Sequence, residues 1–170
     1  MLDATTAQLL AAQDGNARAF DRFVRLTVGD VTRFCRYLGD VNNVDDLVQD
    51  TYLRAMRSLH TYRGDATGVR WLITIARRAC ADAIDSNKRA SRPELTRRVS
   101  HDASSVVEIE ILIDGLPYEQ RLAFVLTQLL GYTYEEAADM CSCPVGTIRS
   151  RIARARTQLA AGLTSGKRAS

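Results

Sequence analysis

From Thr133 to Ala161 a capped acidic helix, a tight turn and an arginine-studded helix follow one another, and few folds accommodate that order. Thr133 with Glu136 three residues on forms a capping box, Tyr134 to Met140 is the short helix it starts, and Pro144 falls at the first residue of a second helix. In that second helix Ile148, Ile152, Ala155 and Leu159 recur at three- and four-residue steps and make one apolar face. Arg149, Arg151, Arg154 and Arg156 take the remaining surface. The pattern is that of a helix-turn-helix, whose second helix enters a DNA major groove with guanidinium groups reaching base edges and phosphates. A basic surface helix with no groove to enter also carries arginines. It does not need the capped scaffold helix and turn in front of it, or the complete lack of acids after Asp139.

Charge along the chain points to a polyanionic partner. The net charge is only +3, yet residues 1–60 carry −1, 61–100 carry +5, 101–140 carry −7 and 141–170 carry +6. Two basic blocks separated by an acidic one predict two distinct contacts with nucleic acid, each releasing its own counterions. No apolar run approaches the roughly 18 residues of a membrane span, and the N-terminus has no signal pattern, so a cytoplasmic protein with no membrane insertion is expected. Four cysteines in 170 residues make no disulfide framework, and Cys35 and Cys80 are read as standing alone.

The periodicity is helical almost throughout, which predicts an all-α chain of two small helical domains joined by a flexible linker. The expected division is 1–88, a polar and basic linker over 89–107, and 108–166. In the first domain apolar positions from Phe20 to Leu38 supply one or two helices ending at Gly39. Val44, Leu47, Val48, Tyr52, Ala55, Met56 and Leu59 form a second stripe, and Leu72, Ile75, Ala76, Ala79, Cys80 and Ala83 a third. In the second domain Pro117 opens a helix that stops at Gly131, read as a left-handed cap.

Three constellations carry candidate chemistry. Asp45, Asp46 and Asp50 have the spacing of a magnesium-diphosphate site, but such enzymes need a second carboxylate cluster and a cavity that a helical domain of this size has little room for. A solvated acidic helix start is the plain alternative. Asp46, Gln49, Asp50, Leu53 and Arg57 share one face, and a large aliphatic flanked by acids suits docking to a basic partner protein. Around the next loop, Arg63, Gly64, Asp65, Trp71, Arg77 and Arg78 combine glycine freedom, positive charge and the single tryptophan, a mixture that binds single-stranded nucleic acid. Trp71 taken alone suits a core position equally well. Cys141 and Cys143 invite a zinc reading, but neither His60 nor His101 stands at a useful spacing, and packing into the core is the better expectation.

Together these residues resemble a bacterial RNA polymerase sigma factor of the extracytoplasmic-function group, close to the actinobacterial sigma-C type. Phe20 to Leu38 resembles region 2.1, and Asp45 to Ala55 resembles region 2.2. The Tyr62-Arg63-Gly64-Asp65 loop with Trp71-Leu72 and Ile75-Ala76-Arg77 resembles regions 2.3 and 2.4. Cys143 to Arg151 with Arg154-Ala155-Arg156 resembles the region 4.2 recognition helix.

The resemblance implies that Asp45, Asp46, Gln49, Asp50 and Leu53 dock on the beta-prime coiled coil of core RNA polymerase. It places Arg63, Gly64, Asp65, Trp71, Arg77 and Arg78 at the minus-ten element, captured as single strand. It places Val145, Gly146, Thr147, Arg149, Ser150, Arg151 and Arg154 at the double-stranded minus-thirty-five element. Further implied partners are the beta flap of the polymerase and an anti-sigma factor. No cofactor, metal or catalytic residue is implied, since catalysis belongs to the polymerase. Ser142 stands where the family usually has a turn glycine, and a left-handed non-glycine residue costs about 1 kcal/mol. The rival reading is a helix-turn-helix regulator of the response-regulator type, binding palindromic duplex as a homodimer without polymerase.

Overall fold

The computed structural model describes residues 2–39, 43–89 and 105–166, and the elements it places there are helical, with no strand among the described residues. The chain divides into two compact units between Leu95 and Thr96. The expected linker, 89–107, lies for the most part outside the described residues, but the helices on either side run to Arg89 and start at Ser105.

The first unit contains α1 (Ala4–Gln13), α2 (Ala17–Leu38), α3 (Val44–Ser58) and α4 (Gly68–Arg89), with a short 3-10 turn at Leu59–Thr61. The apolar positions from Phe20 to Leu38 all fall on the single long helix α2. It buries Phe23, Val31, Phe34, Cys35 and Leu38 against α3 and α4. A Cβ on Gly39, just past its end, would meet Leu47 Cδ1 at 2.3 Å, so glycine is what lets α3 close on α2 there. The buried line of α3 differs from the expected stripe. It is Leu47, Thr51 and Ala55, at straight four-residue steps, and Met56 is 56% exposed. Thr51 is admitted to the core because its hydroxyl donates to the Leu47 carbonyl (2.7 Å), which leaves no unsatisfied donor. On α4 the expected stripe is buried from Leu72 to Cys80, with Ile73 added and Ala83 only half-buried.

Cys35 and Cys80 do not stand alone. Their sulfurs lie 4.0 Å apart, fully buried between α2 and α4. The hydrogen bond to Cys35, together with burial, pushes the Cys80 thiol far above its ordinary range. A protonated buried thiol is a small apolar side chain.

The second unit contains α5 (Ser105–Asp114), α6 (Tyr118–Phe124), α7 (Tyr134–Cys141) and α8 (Val145–Gly166). Pro117 opens α6 as expected, but the helix widens into a π turn at Val125–Leu129 before Gly131 ends it at φ +77°. The capping box of α7 is present in both directions. Glu136 N–H donates to Thr133 Oγ1 (3.1 Å), and Thr133 N–H donates to Glu136 Oε2 (2.9 Å). Ser142 ends α7 in the left-handed region (φ 53°, ψ 47°), and Cys143 N–H reaches back to the Ala138 carbonyl, completing a Schellman turn. Pro144 stands one residue before α8 and accepts from Thr147 N–H at 2.9 Å. Ser142→Gly relieves about 1 kcal/mol of left-handed strain but adds about 0.5 kcal/mol of chain entropy to the unfolded state. The net expectation, read by urea denaturation, is a gain of about 0.5 kcal/mol in the stability of the second unit.

Candidate functional site

On α3 the residues expected to dock a partner stay in solvent. Asp45 and Asp46 lie in its first turn, where carboxylates favour the helix dipole, and Asp45, Asp46 and Gln49 are exposed. Asp50 is half-buried and ion-paired with Arg54 (2.8 Å), whose guanidinium also reaches Asp82 on α4 (2.5 Å). The Asp82 hydrogen bond raises the Arg54 pKa further, so the guanidinium that clamps α3 to α4 stays protonated. Leu53 is 45% exposed, and one turn on Met56 joins it. Met56 was assigned to the core by periodicity, although the offset between positions 51 and 56 points it to the Leu53 side. The result is an apolar knob of two side chains rimmed by acids. Among the described residues no group of three or more His, Cys, Asp or Glu side chains is arranged to hold a metal ion.

The loop before α4 and the first turns of that helix bring the second constellation together. Arg63 and Asp65 are exposed, and Gly64 between them takes φ +79°, which a side chain would resist. Trp71 is half-buried, its ring 5.2 Å from that of buried Tyr62 and tilted by 53°. It is therefore neither a core residue nor free, but a supported aromatic with part of its surface in solvent. Burial holds the Tyr62 hydroxyl above its ordinary pKa although the Thr6 hydroxyl lies close by, so it remains a neutral donor. Arg78 is exposed, and Arg77 beside it is half-buried, with its Nε carrying no hydrogen bond.

On α8 the expected apolar face is buried over its first three positions, and Leu159, the fourth, is only half-buried. Ile148, Ile152 and Ala155 are buried against α6 and α7. Gly146, Arg149, Ser150 and Arg154 are exposed, and Val145 and Thr147 are half-buried at the helix start. Arg151 is placed differently. Its guanidinium pairs with Glu119 at the start of α6 (2.8 Å) and donates to Cys143 Sγ (3.8 Å), leaving its side chain 22% exposed. Arg156 is also engaged, donating to Gln128 Oε1 (2.9 Å). Cys141 and Cys143 are half-exposed instead of packed inside, because the left-handed turn at Ser142 lifts them to the rim. An arginine held within its own unit adds little to phosphate neutralisation. Arg151→Gln is expected to weaken duplex binding without changing its dependence on salt, measured as log affinity against log salt concentration.

One unit thus carries a capped scaffold helix, a tight turn and an exposed arginine row, the arrangement of a helix-turn-helix, and the other an acidic-apolar knob and a basic aromatic loop. The family model described as Sigma-70 region 2 matches residues 23–90, and the one described as Sigma-70, region 4 matches residues 107–159. The chain belongs to the sigma-70 family of RNA polymerase sigma factors, in the extracytoplasmic-function group. It is 43% identical over 170 residues to the probable RNA polymerase sigma-C factor of Mycobacterium bovis, covering 94% of this chain and 91% of that one. It is 31% identical to the sigma-E factor of Escherichia coli, over 92% of this chain and 93% of the relative.

Among solved structures, that of CnrH in complex with the cytosolic domain of CnrY superposes with a TM-score of 0.78 at 26% identity, covering 96% of this chain and 99% of that one. The sigma factor RpoE of Bartonella quintana, in complex with the anti-sigma factor NepR, gives 0.75 at 25% identity, over 87% and 98%. The protein is thus a non-catalytic subunit that binds core RNA polymerase and promoter DNA and directs promoter-specific transcription initiation.

Proposed function

We propose that the three constellations divide the work of initiation, within domains bounded as 1–88 and 108–166. Asp45, Asp46, Gln49, Asp50 and Leu53, joined by Met56, form the docking face for the beta-prime coiled coil. Arg63, Gly64, Asp65, Trp71, Arg77 and Arg78 receive the unpaired minus-ten strand. Val145, Gly146, Thr147, Arg149, Ser150 and Arg154 read the minus-thirty-five duplex, with Arg151 holding the helix that carries them. The observation that carries this reading is the exposure of Leu53 and Met56 beside exposed acids on a helix whose other side is core. Ile109, Ile111 and Leu163 are the apolar surface of the second unit and suit the beta flap. The protein works in the cytoplasm, consistent with the lack of any described helix long and apolar enough to cross a membrane. An anti-sigma factor, like the one bound to the Bartonella relative, would compete for the Leu53 face.

Footprinting of the holoenzyme on its promoter separates the two DNA sites. With Trp71→Ala, upstream protection persists and permanganate-reactive thymines near minus ten disappear. Reactive thymines at wild-type strength would remove Trp71 from the strand-capture site.

A further inference from the structure

The minus-ten loop is built by a helix from the other end of its unit. The first N–H groups of a helix have no carbonyl within it to bond; in α4 the third, Arg70 N–H, is met by Thr67 Oγ1 just ahead of the helix (3.4 Å), and the first two are met from α1. Gly68 N–H donates to Thr6 Oγ1 and Val69 N–H to Thr5 Oγ1, both at 3.1 Å. The hydroxyl protons of Thr5 and Thr6 go to the Asp3 carboxylate, which also accepts from both threonine N–H groups as the cap of α1. The hydroxyl lone pairs are thereby left for α4. Tyr62 OH lies 3.0 Å from Thr6 Oγ1 and donates to the Ala66 carbonyl (2.6 Å), while its ring supports Trp71. At the far end of α1, Gln13 Nε2 donates to the carbonyls of Leu59 (2.7 Å) and Tyr62 (2.8 Å). A Cβ on Gly68 would come within 2.8 Å of the Thr5 carbonyl, so the two helix starts are pressed together.

We propose that α1 is the positioning element of the strand-capture loop: Thr5 and Thr6 cap α4 from outside it, Gln13 anchors the chain entering the loop, and the two ends fix residues 62–67 and Trp71 before DNA arrives. The inference rests on the assignment of that loop to the minus-ten strand. A preformed loop loses no ordering entropy on binding, so loosening it weakens capture even though no DNA-contacting group is removed.

The test uses the full chain assembled with core polymerase. Thr5→Val/Thr6→Val keeps the side-chain shape and removes both acceptors. It is expected to reduce affinity for a single-stranded minus-ten oligonucleotide and the rate of promoter opening about tenfold, with core affinity and upstream duplex protection within about twofold of wild type. Thr5→Ser/Thr6→Ser restores both. Gln13→Ala, which leaves the cap of α4 intact, gives a smaller defect of the same kind and serves if the double variant folds poorly. Wild-type capture by the Val/Val and Gln13→Ala variants, or a parallel fall in core affinity and capture, overturns the proposal. Trp71→Ala and Arg77→Ala run alongside. If these lose capture while the α1 variants do not, the positioning role alone fails; if neither loses it, the loop assignment fails as well.

Discussion

Leu53→Asp, on the proposed docking face, is expected to lower affinity for core RNA polymerase about a hundredfold, roughly 3 kcal/mol, with helical content unchanged. Leu53 is 45% exposed and is not one of the buried core residues of its unit, so the substitution removes little packing there. At the interface it does two things. It deletes a central apolar anchor of the kind that carries at least about 2 kcal/mol, and it leaves a carboxylate to be desolvated without a partner. Met56→Asp follows with a smaller loss. Asp50→Ala is milder, because Arg54 keeps its ion pair with Asp82 and α3 stays clamped to α4. Fluorescence anisotropy of labelled chain against core polymerase measures all three. Equal affinities for wild type and Leu53→Asp would place the polymerase elsewhere on the surface.

Arg149→Ala is expected to reduce promoter affinity of the holoenzyme about ten- to hundredfold and to relax base selection within the minus-thirty-five element, the roughly 1–3 kcal/mol of a lost bidentate contact. Arg149 is exposed in the first turns of α8, between the side chains that turn into the core at Ile148 and Ile152. Its loss, unlike that of Arg151, is expected to show as sequence preference. Competition between promoters that differ only within the minus-thirty-five element reads this. An unchanged ranking of promoters would mean that Arg149 does not read bases.

Features that depend on local chemistry were legible in the sequence. The capping box at Thr133 and Glu136, the left-handed Gly131 and the buried face of α8 follow from spacing and backbone preference, whereas the left-handed Ser142 was legible only through the family's turn glycine. What escaped depends on contacts between distant segments. Helix α1 went unread because it is short and its buried side is only Thr6 and Leu9, and a threonine does not register as an apolar position. Its one local sign was Asp3 ahead of Thr5 and Thr6, a cap for a helix not otherwise announced. Thr51 and Met56 exchanged places for a related reason: hydropathy ranks methionine above threonine, but the four-residue line through Leu47 and Ala55 selects Thr51, and a hydrogen bond to Leu47 makes that burial tolerable. The meeting of Cys35 with Cys80 and of Arg151 with Glu119 joins helices that no periodicity relates.

Run-off transcription by bacterial core RNA polymerase from a promoter library, with and without this chain, tests the account at its centre. Specific transcripts that require the chain, that disappear with Leu53→Asp for want of core binding and with Arg149→Ala for want of promoter binding, are the predicted result. Duplex binding by the chain alone, with no association with core polymerase and no chain-dependent transcript, would contradict it.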